Sequence, residues 1–233
     1  MKGKLYLIPS PLGEYDPALV LPAPVLEKAR ELTTFVVEEV RTARRFLSKA
    51  GLKGQIDALE FHTLNEHTAP AEVEALAQLF ENQDVGLISE AGLPAVADPG
   101  AALVALCHRK NIEVVPLTGP SSLMLALMAS GLNGQSFAFR GYLPAKTEER
   151  RSALKAVERE SKQHNQSQIF IETPYRNDSL LKDLLQFLQP QTRLTVAADI
   201  TLPDQFIRTR TVAEWRSAPQ EIGKRPCVFI ILA

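Results

Sequence analysis

Along this chain, short unbroken apolar runs alternate with longer stretches in which apolar residues recur every three to four positions. The first pattern is that of buried strands and the second that of helices with one face on a core. In the first half, strands are predicted over 5–8, 34–38, 56–61, 85–89 and 114–117. Helices are predicted between them, over 23–31, 42–50, 71–81 and 101–110. The strands read as continuous apolar segments, LYLI and VGLI among them, rather than alternating ones. That is expected of a parallel sheet covered on both faces, and strand–helix–strand spacing of this kind points to an α/β fold.

The alternation pauses around 116–120 and then resumes differently. A helix is predicted to start at Ser121 or Ser122 and run to Ser130, with Gly131 as its left-handed cap. Strands follow over 137–140, 169–172, 194–197, 206–211 and 227–232, with helices over 148–163 and 177–188. The strands 194–197 and 206–211 lie close enough in sequence to form an antiparallel hairpin. The expectation is two α/β domains, 1–117 with a mainly parallel sheet and 118–233 with a mixed one.

Composition narrows the chemistry. With 26 basic and 27 acidic residues in 233, the net charge of −1 gives no global attraction to nucleic acid, so any such contact must be local. Cys107 and Cys227 lie in apolar runs and read as core thiols of a reducing compartment. The apolar run after Met1–Lys4 is too short for a signal peptide and is ended by Pro9 and Pro11, and no stretch approaches the length of a membrane span. A cytoplasmic protein without membrane attachment is therefore expected. There is no CxxC, HExxH, GxGxxG, Walker loop or GxSxG, which argues against a metal site, dinucleotide binding, nucleotide hydrolysis and serine hydrolysis.

In an open α/β sheet, ligands bind beyond the carboxyl ends of the strands. Four loops there stand out. Pro9-Ser10-Pro11-Leu12-Gly13-Glu14 is a stiff turn, equally readable as an ordinary connection. Ser89–Gly100 is long for its position, and Gly92 within it would let a ligand approach the backbone. Asp98-Pro99 reads as a helix N-cap followed by proline at the first helical position, whereas Glu90 is a carboxylate directly after an apolar strand, costly without a partner. Leu117-Thr118-Gly119-Pro120-Ser121-Ser122 feeds a serine-capped helix with free backbone donors. Glu172-Thr173-Pro174-Tyr175-Arg176 follows another buried strand. Two polar clusters add to these: Glu38-Glu39-Val40-Arg41-Thr42 with Arg44 and Arg45, and His62 with Asn65, Glu66 and His67. The arginines suit RNA phosphates or a solvated helix face. His62 suits substrate contact or a structural hydrogen bond.

Taken in order, the stretches LYLIPSPLGE, EEVRTARRFL, NEH, LISEAGLPAVADPG, VVPLTGPSSLMLALMASGL, FRGYLPAK and FIETPYR resemble the tetrapyrrole-methylase-fold methyltransferases. Within that fold they are similar to the branch that methylates ribose 2′-hydroxyls of small-subunit ribosomal RNA. The resemblance spans nearly the whole chain. It implies two αβα domains with S-adenosyl-L-methionine held in the cleft between them, a homodimer, and the small ribosomal subunit or its RNA as partner. It also implies cofactor contacts at Leu12, Glu90, Ala91, Gly92, Val96, Ser121, Ser122, Glu172 and the backbone near Ile200.

Several positions depart from the branch. Ser10, Leu12 and Glu14 stand where Thr, Ile and Asn are usual. Glu38-Glu39-Val40-Arg41 replaces Glu-Asp-Thr-Arg, and His62-Thr63-Leu64-Asn65-Glu66 replaces His-x-His-Asn-Glu. Glu90 stands for aspartate, and the small C-terminal segment of the ribosomal enzymes has no counterpart after Ala233. Methyl transfer to a hydroxyl needs alignment and a base. Glu38 or Glu66 is the expected base and Arg41 the expected substrate-orienting group. Two other readings stay open: the same chemistry on a different small-molecule or RNA acceptor, and a non-catalytic protein that binds the cofactor for regulation.

Overall fold

Short apolar runs become most of the strands of the first sheet in the computed structural model, which describes residues 3–218 and 220–233. The chain divides into two compact units, Met1–Ser121 and Ser122–Ala233.

In the first unit, β1 (Leu5–Ile8), β2 (Thr34–Val37), β3 (Glu60–Thr63), β4 (Val85–Ile88) and β5 (Val114–Pro116) form an all-parallel sheet in the order β3-β2-β4-β1-β5. Every residue of β2 and β4 is buried. Because successive side chains of a strand point to opposite faces, Phe35 and Val37 enter one apolar cluster and Val36 the other. The first cluster is completed by α1 (Ala23–Glu31) and α2 (Val40–Leu47), through Val25, Leu26, Phe46 and Leu47. The second takes Val73 of α3 (Pro70–Ala75) and Leu103 and Leu106 of α4 (Ala101–Arg109).

Some boundaries differ from the sequence pattern. The third strand is Glu60–Thr63, not 56–61, because its four residues pair one for one with Thr34–Val37 of β2. Ile56–Ala58 forms a 3-10 turn instead. The expected helix 42–50 starts earlier, at Val40, where the Glu39 carboxylate caps the Arg41 amide at 3.0 Å. The helix expected over 71–81 is α only to Ala75 and continues as a 3-10 segment over Leu76–Phe80.

The second unit carries β6 (Phe137–Tyr142), β7 (Ser167–Ile171), β8 (Arg193–Ala198), β9 (Phe206–Thr211) and β10 (Cys227–Leu232), in the order β6-β7-β10-β8-β9. Only β6 and β7 pair in parallel, so the sheet is mixed. Central β10 is buried at all six positions. The helices are α5 (Ser122–Ser130), α6 (Thr147–His164), α7 (Asn177–Phe187) and α8 (Val212–Ser217). The last was not expected from the apolar pattern; it is a short helix set by a Thr211–Glu214 capping box and pinned by buried Trp215, whose Nε1 donates to the Leu194 carbonyl at 2.9 Å. On the exposed edge, β9 carries Arg208 over the Phe206 ring at 5.7 Å and Arg210 over Trp215 at 5.3 Å.

One polar knot is built into this unit. Arg150, 1% exposed, donates from Nη1 to Asp183 Oδ2 at 3.0 Å, from Nε to the Pro144 carbonyl at 2.8 Å and from Nη2 to the Ala145 carbonyl at 2.6 Å. It ties α6 to α7 and to the loop that follows β6. Cys107 and Cys227 are free and buried, and burial pushes their thiols up to about 11 and about 12. Among the described residues no helix is long and apolar enough to cross a membrane, and no group of His, Cys, Asp and Glu could hold a metal ion.

Candidate functional site

β1 lies between β4 and β5, so the loops leaving the carboxyl ends of these three strands meet. The first two are joined by an isolated antiparallel bridge: the Ser10 amide donates to the Gly92 carbonyl at 2.9 Å and the Gly92 amide to the Ser10 carbonyl at 3.1 Å. Ser10 Oγ adds a bond to the Ser89 carbonyl at 2.8 Å. Gly92 has φ +75°, and a Cβ there would stand 3.3 Å from Leu12 Cδ2 and 3.4 Å from the Pro120 carbonyl oxygen. Gly119 is tighter still, since a Cβ would come within 2.2 Å of Pro9 Cβ. The close fit of all three loops therefore depends on two residues that lack a side chain.

The second loop is strained beyond Gly92. Ala95 and Ala97 hold left-handed conformations, φ +65° and +58°, with Val96 between them and 46% exposed. Backbone strain of this kind persists only where the surroundings impose it. Asp98 imposes it here: its Oδ1 accepts from the Ala95 amide at 2.9 Å and the Gly100 amide at 2.7 Å. The helix N-cap expected at Asp98 lies instead at Gly100, and α4 opens at Ala101. The carboxylate closes the loop onto itself, so it is structural by a different route.

A pocket of about 150 Å³ opens beside these loops. Leu12, Glu90 and Ala91 line it with Thr42 of the cluster after β2, as do Tyr15 and Phe46, which the sequence pattern did not single out. Thr42, Arg45 and Phe46 stand at i, i+3 and i+4 of α2, a spacing that puts them on one helix face. At the rim, Glu14 pairs with Arg45 and, at 3.6 Å, with Lys49. The Arg45 guanidinium, then Lys49, holds the Glu14 carboxyl below the usual carboxylate range. Arg44 is engaged by Asp57. Of the three arginines expected to face phosphate, only Arg41 has its exposed guanidinium clear of an ion pair among the described residues.

The carboxylates gather by charge. Glu38, half-buried at the end of β2, has its carboxyl pushed up by burial and then by the charges of Asp98, Glu90 and Glu66. Glu90 is also raised, by desolvation first, with the Thr42 hydroxyl opposing and the Glu39 charge adding to it. Glu90, expected to need a partner directly after the strand, lies exposed two residues beyond the end of β4 at Ile88 and has that partner in Thr42. Glu66 is fully out in solvent, 3.5 Å from His67. His62 is bonded to Glu60 at 2.9 Å, and Asn65 accepts the His67 amide at 2.9 Å to close a turn. Glu38 and Glu66 are thus brought together, while His62 and Asn65 are tied up locally.

The second unit holds the remaining expected contacts. Ser122 is the first residue of α5, directly after Ser121. Glu172 follows β7 and its side chain is fully buried. Its Oε1 accepts from the Thr173 amide at 2.7 Å and from Arg176 at 2.9 and 2.7 Å, while Oε2 is buried with no partner. Asn177, unforeseen, has a second unpartnered buried acceptor, Oδ1, while its Nδ2 donates to the Gly223 and Arg225 carbonyls. Ile200 is buried between left-handed Asp199 and Thr201, φ +49° and +73°, the same device as Ala95-Val96-Ala97.

Residues 12–215 match the family model described as tetrapyrrole (corrin/porphyrin) methylases. The chain is 32% identical to the ribosomal RNA small subunit methyltransferase I of Escherichia coli O157:H7, over 99% of this chain and 78% of that protein. It is also 32% identical to the protein of the same name from Thermotoga maritima, over 88% of this chain and 87% of the other. Among solved structures, it shares a fold with the uroporphyrin-III C-methyltransferase of Thermus thermophilus in complex with S-adenosylhomocysteine. That match has a TM-score of 0.58 and 18% identity, covering 99% of this chain and 97% of that one.

Proposed function

We infer the activity from a fixed premise: the chain belongs to the tetrapyrrole (corrin/porphyrin) methylase family. It is an S-adenosyl-L-methionine-dependent methyltransferase, and its acceptor is a ribose 2′-hydroxyl in small-subunit ribosomal RNA. The observation that carries the RNA substrate is the 32% identity, over 99% of this chain, with a relative named as a ribosomal RNA small subunit methyltransferase; the 2′-hydroxyl is what the motif resemblance implies. By the same kinship it works in the cytoplasm as a homodimer.

The residues fit the cofactor. S-adenosylmethionine has no phosphate, and the loops that meet beyond β1, β4 and β5 offer backbone groups and apolar walls rather than a basic cradle. Glu172 Oε2, buried and unpartnered, suits a donor group of the cofactor; left empty-handed, such an acceptor is costly. In the first unit Leu12 and Ala91 line the pocket and Gly92 and Val96 follow in the same loop, with Ser121 at the end of that unit; in the second, Ser122 opens α5 and Ile200 lies between left-handed neighbours, the remaining contacts that the family resemblance implies.

When bound, the cofactor supplies an electrophilic methyl on a sulfonium. Glu38 takes the proton of the acceptor hydroxyl as its oxygen bonds to the methyl and the carbon–sulfur bond breaks. A base works best with a pKa near the working pH, and burial, then the charges of Asp98, Glu90 and Glu66, move Glu38 upward in that direction. Arg41 orients the substrate through its phosphate.

The test is incubation with labelled S-adenosylmethionine and small subunits that lack the modification. Label in RNA, released as a 2′-O-methyl nucleoside, is the expected result; cofactor binding without transfer to any such subunit would remove the acceptor assignment. Replacing Gly92 by valine probes the loop. A branched side chain at φ +75° carries a strain of about 1–2 kcal/mol. Roughly tenfold weaker cofactor binding is expected from a loss of that size, with the circular dichroism of the fold retained. Unchanged affinity by calorimetry would separate Gly92 from the site.

A further inference from the structure

We propose that the solvent face of α6 in the second unit is a docking surface for the phosphate backbone of the RNA substrate; the proposal rests on the ribosomal RNA reading above. Arg151, Lys155, Arg159 and Lys162 recur every three to four residues along α6, and all four are exposed. At 1.5 Å per residue they line one stripe roughly 16 Å long, with steps of about 6 Å. A flexible strand of phosphates can follow cations placed at such intervals.

The charge on this face is a net positive one, four cations against Glu148 at its start and Glu158 beneath, although the whole chain is nearly neutral. Lys155, Arg159 and Lys162 take part in no ion pair among the described residues. Arg151 lies over the Phe187 ring at 5.5 Å, which leaves its charge unneutralised. Nearby acids are already committed. Glu160 pairs with Arg140, Glu149 with Lys146 at 3.4 Å and Asp183 with Arg150 at 3.0 Å. Glu158, beneath the stripe, accepts from the Gln189 amide at 2.8 Å and from the Thr192 hydroxyl. Glu148 is the exposed carboxylate on this face of α6, at the first turn, where the helix dipole favours an acid.

Beside the stripe runs a groove of about 400 Å³, walled by Phe187, Gln189, Gln191 and Thr192 opposite Lys155, Arg159 and Lys162, with Glu158 and Ala233 also in its lining, so three cations there stand against the Glu158 carboxylate. Cations along one wall and amide groups along the other fit a sugar–phosphate backbone, which needs charge and hydrogen-bond donors but no base readout. The arginines of α2 are less available for this task, since Arg44 and Arg45 are held by Asp57 and Glu14.

The test is a Lys155→Gln/Arg159→Gln/Lys162→Gln triple variant beside the unaltered protein, measuring small-subunit RNA binding across a salt series. Each lost phosphate contact removes about 0.7–0.9 from the slope of log affinity against log salt. The triple variant is therefore expected to show a slope shallower by about 2–3 and a raised KM for RNA, with kcat and cofactor affinity unchanged. A single Glu148→Gln change, which removes the acid of that face, is expected to leave the slope as it is or steepen it. An unchanged slope and KM in a folded triple variant, while the unaltered protein methylates the subunit, overturns the docking surface and leaves the activity standing. A loss confined to binding of anionic phospholipid vesicles overturns it as well. No RNA binding or methylation by the unaltered protein overturns both readings.

Discussion

Glutamine at position 38 is expected to slow methyl transfer by roughly 10²- to 10⁴-fold, the usual worth of a positioned base, while cofactor affinity is kept. The substitution keeps shape and removes one proton acceptor. The pH profile carries the sharper prediction. The Glu38 carboxyl sits above its ordinary value of 4.5, pushed by burial and by Asp98, Glu90 and Glu66. The acidic limb of kcat/KM should therefore rise through that elevated pKa and vanish in Glu38→Gln. The stability effect has the opposite sign. A carboxyl raised in the folded state favours folding when protonated, below the unfolded value, and that advantage is lost as pH climbs through the folded value. At neutral pH the ionised Glu38 thus opposes folding, and Glu38→Gln should melt no lower than the parent. A variant that is both inactive and unstable would point to a structural Glu38, and one that transfers methyl at the parental rate would leave Glu66 as the base to test.

Removal of Arg150 should have the largest effect on stability. In Arg150→Met, Asp183 stays buried at 5% exposure without its counter-ion, and the Pro144 and Ala145 carbonyls lose their donor. Breaking one partner of a buried pair costs about 3–5 kcal/mol. The midpoint of urea unfolding should drop accordingly. The double variant Arg150→Met/Asp183→Leu should recover much of the loss, because no buried charge remains unpaired. A single variant with an unshifted midpoint would mean that Asp183 takes up its proton at little cost.

The sheets were legible because burial on both faces writes itself as unbroken apolar runs: TFVV and VGLI in the first unit, CVFIIL in the second. What escaped was set by partners distant in sequence. The extent of β3 follows its pairing with β2, and α8 is held by one buried tryptophan and a capping box rather than by a repeating stripe. The site shows the same division. The loops after β1, β4 and β5 were visible as Gly- and Pro-bearing breaks after strands. The pocket wall on α2 was not, since Thr42, Arg45 and Phe46 mix polarities on one face. Asp98 preceded a proline in the manner of a cap, and only the left-handed Ala95 beside it reveals the turn that its carboxylate closes. The need of Glu90 for a partner was legible from its place after an apolar run, although the strand ends one residue earlier, at Ile88, than the run suggested.

The arginines of β9 have a consequence for how this protein behaves in a crowded solution. A sheet edge leaves a row of unpaired amides and carbonyls that another chain can complete, and charged side chains on such an edge discourage it. Arg208 and Arg210 lie along the last strand of the second sheet, each leaning over an aromatic ring of its own unit. A second β9 brought alongside would meet like charge at both positions. The edge is guarded against runaway strand addition, so part of the hazard of fibrous self-assembly is met in the strand itself.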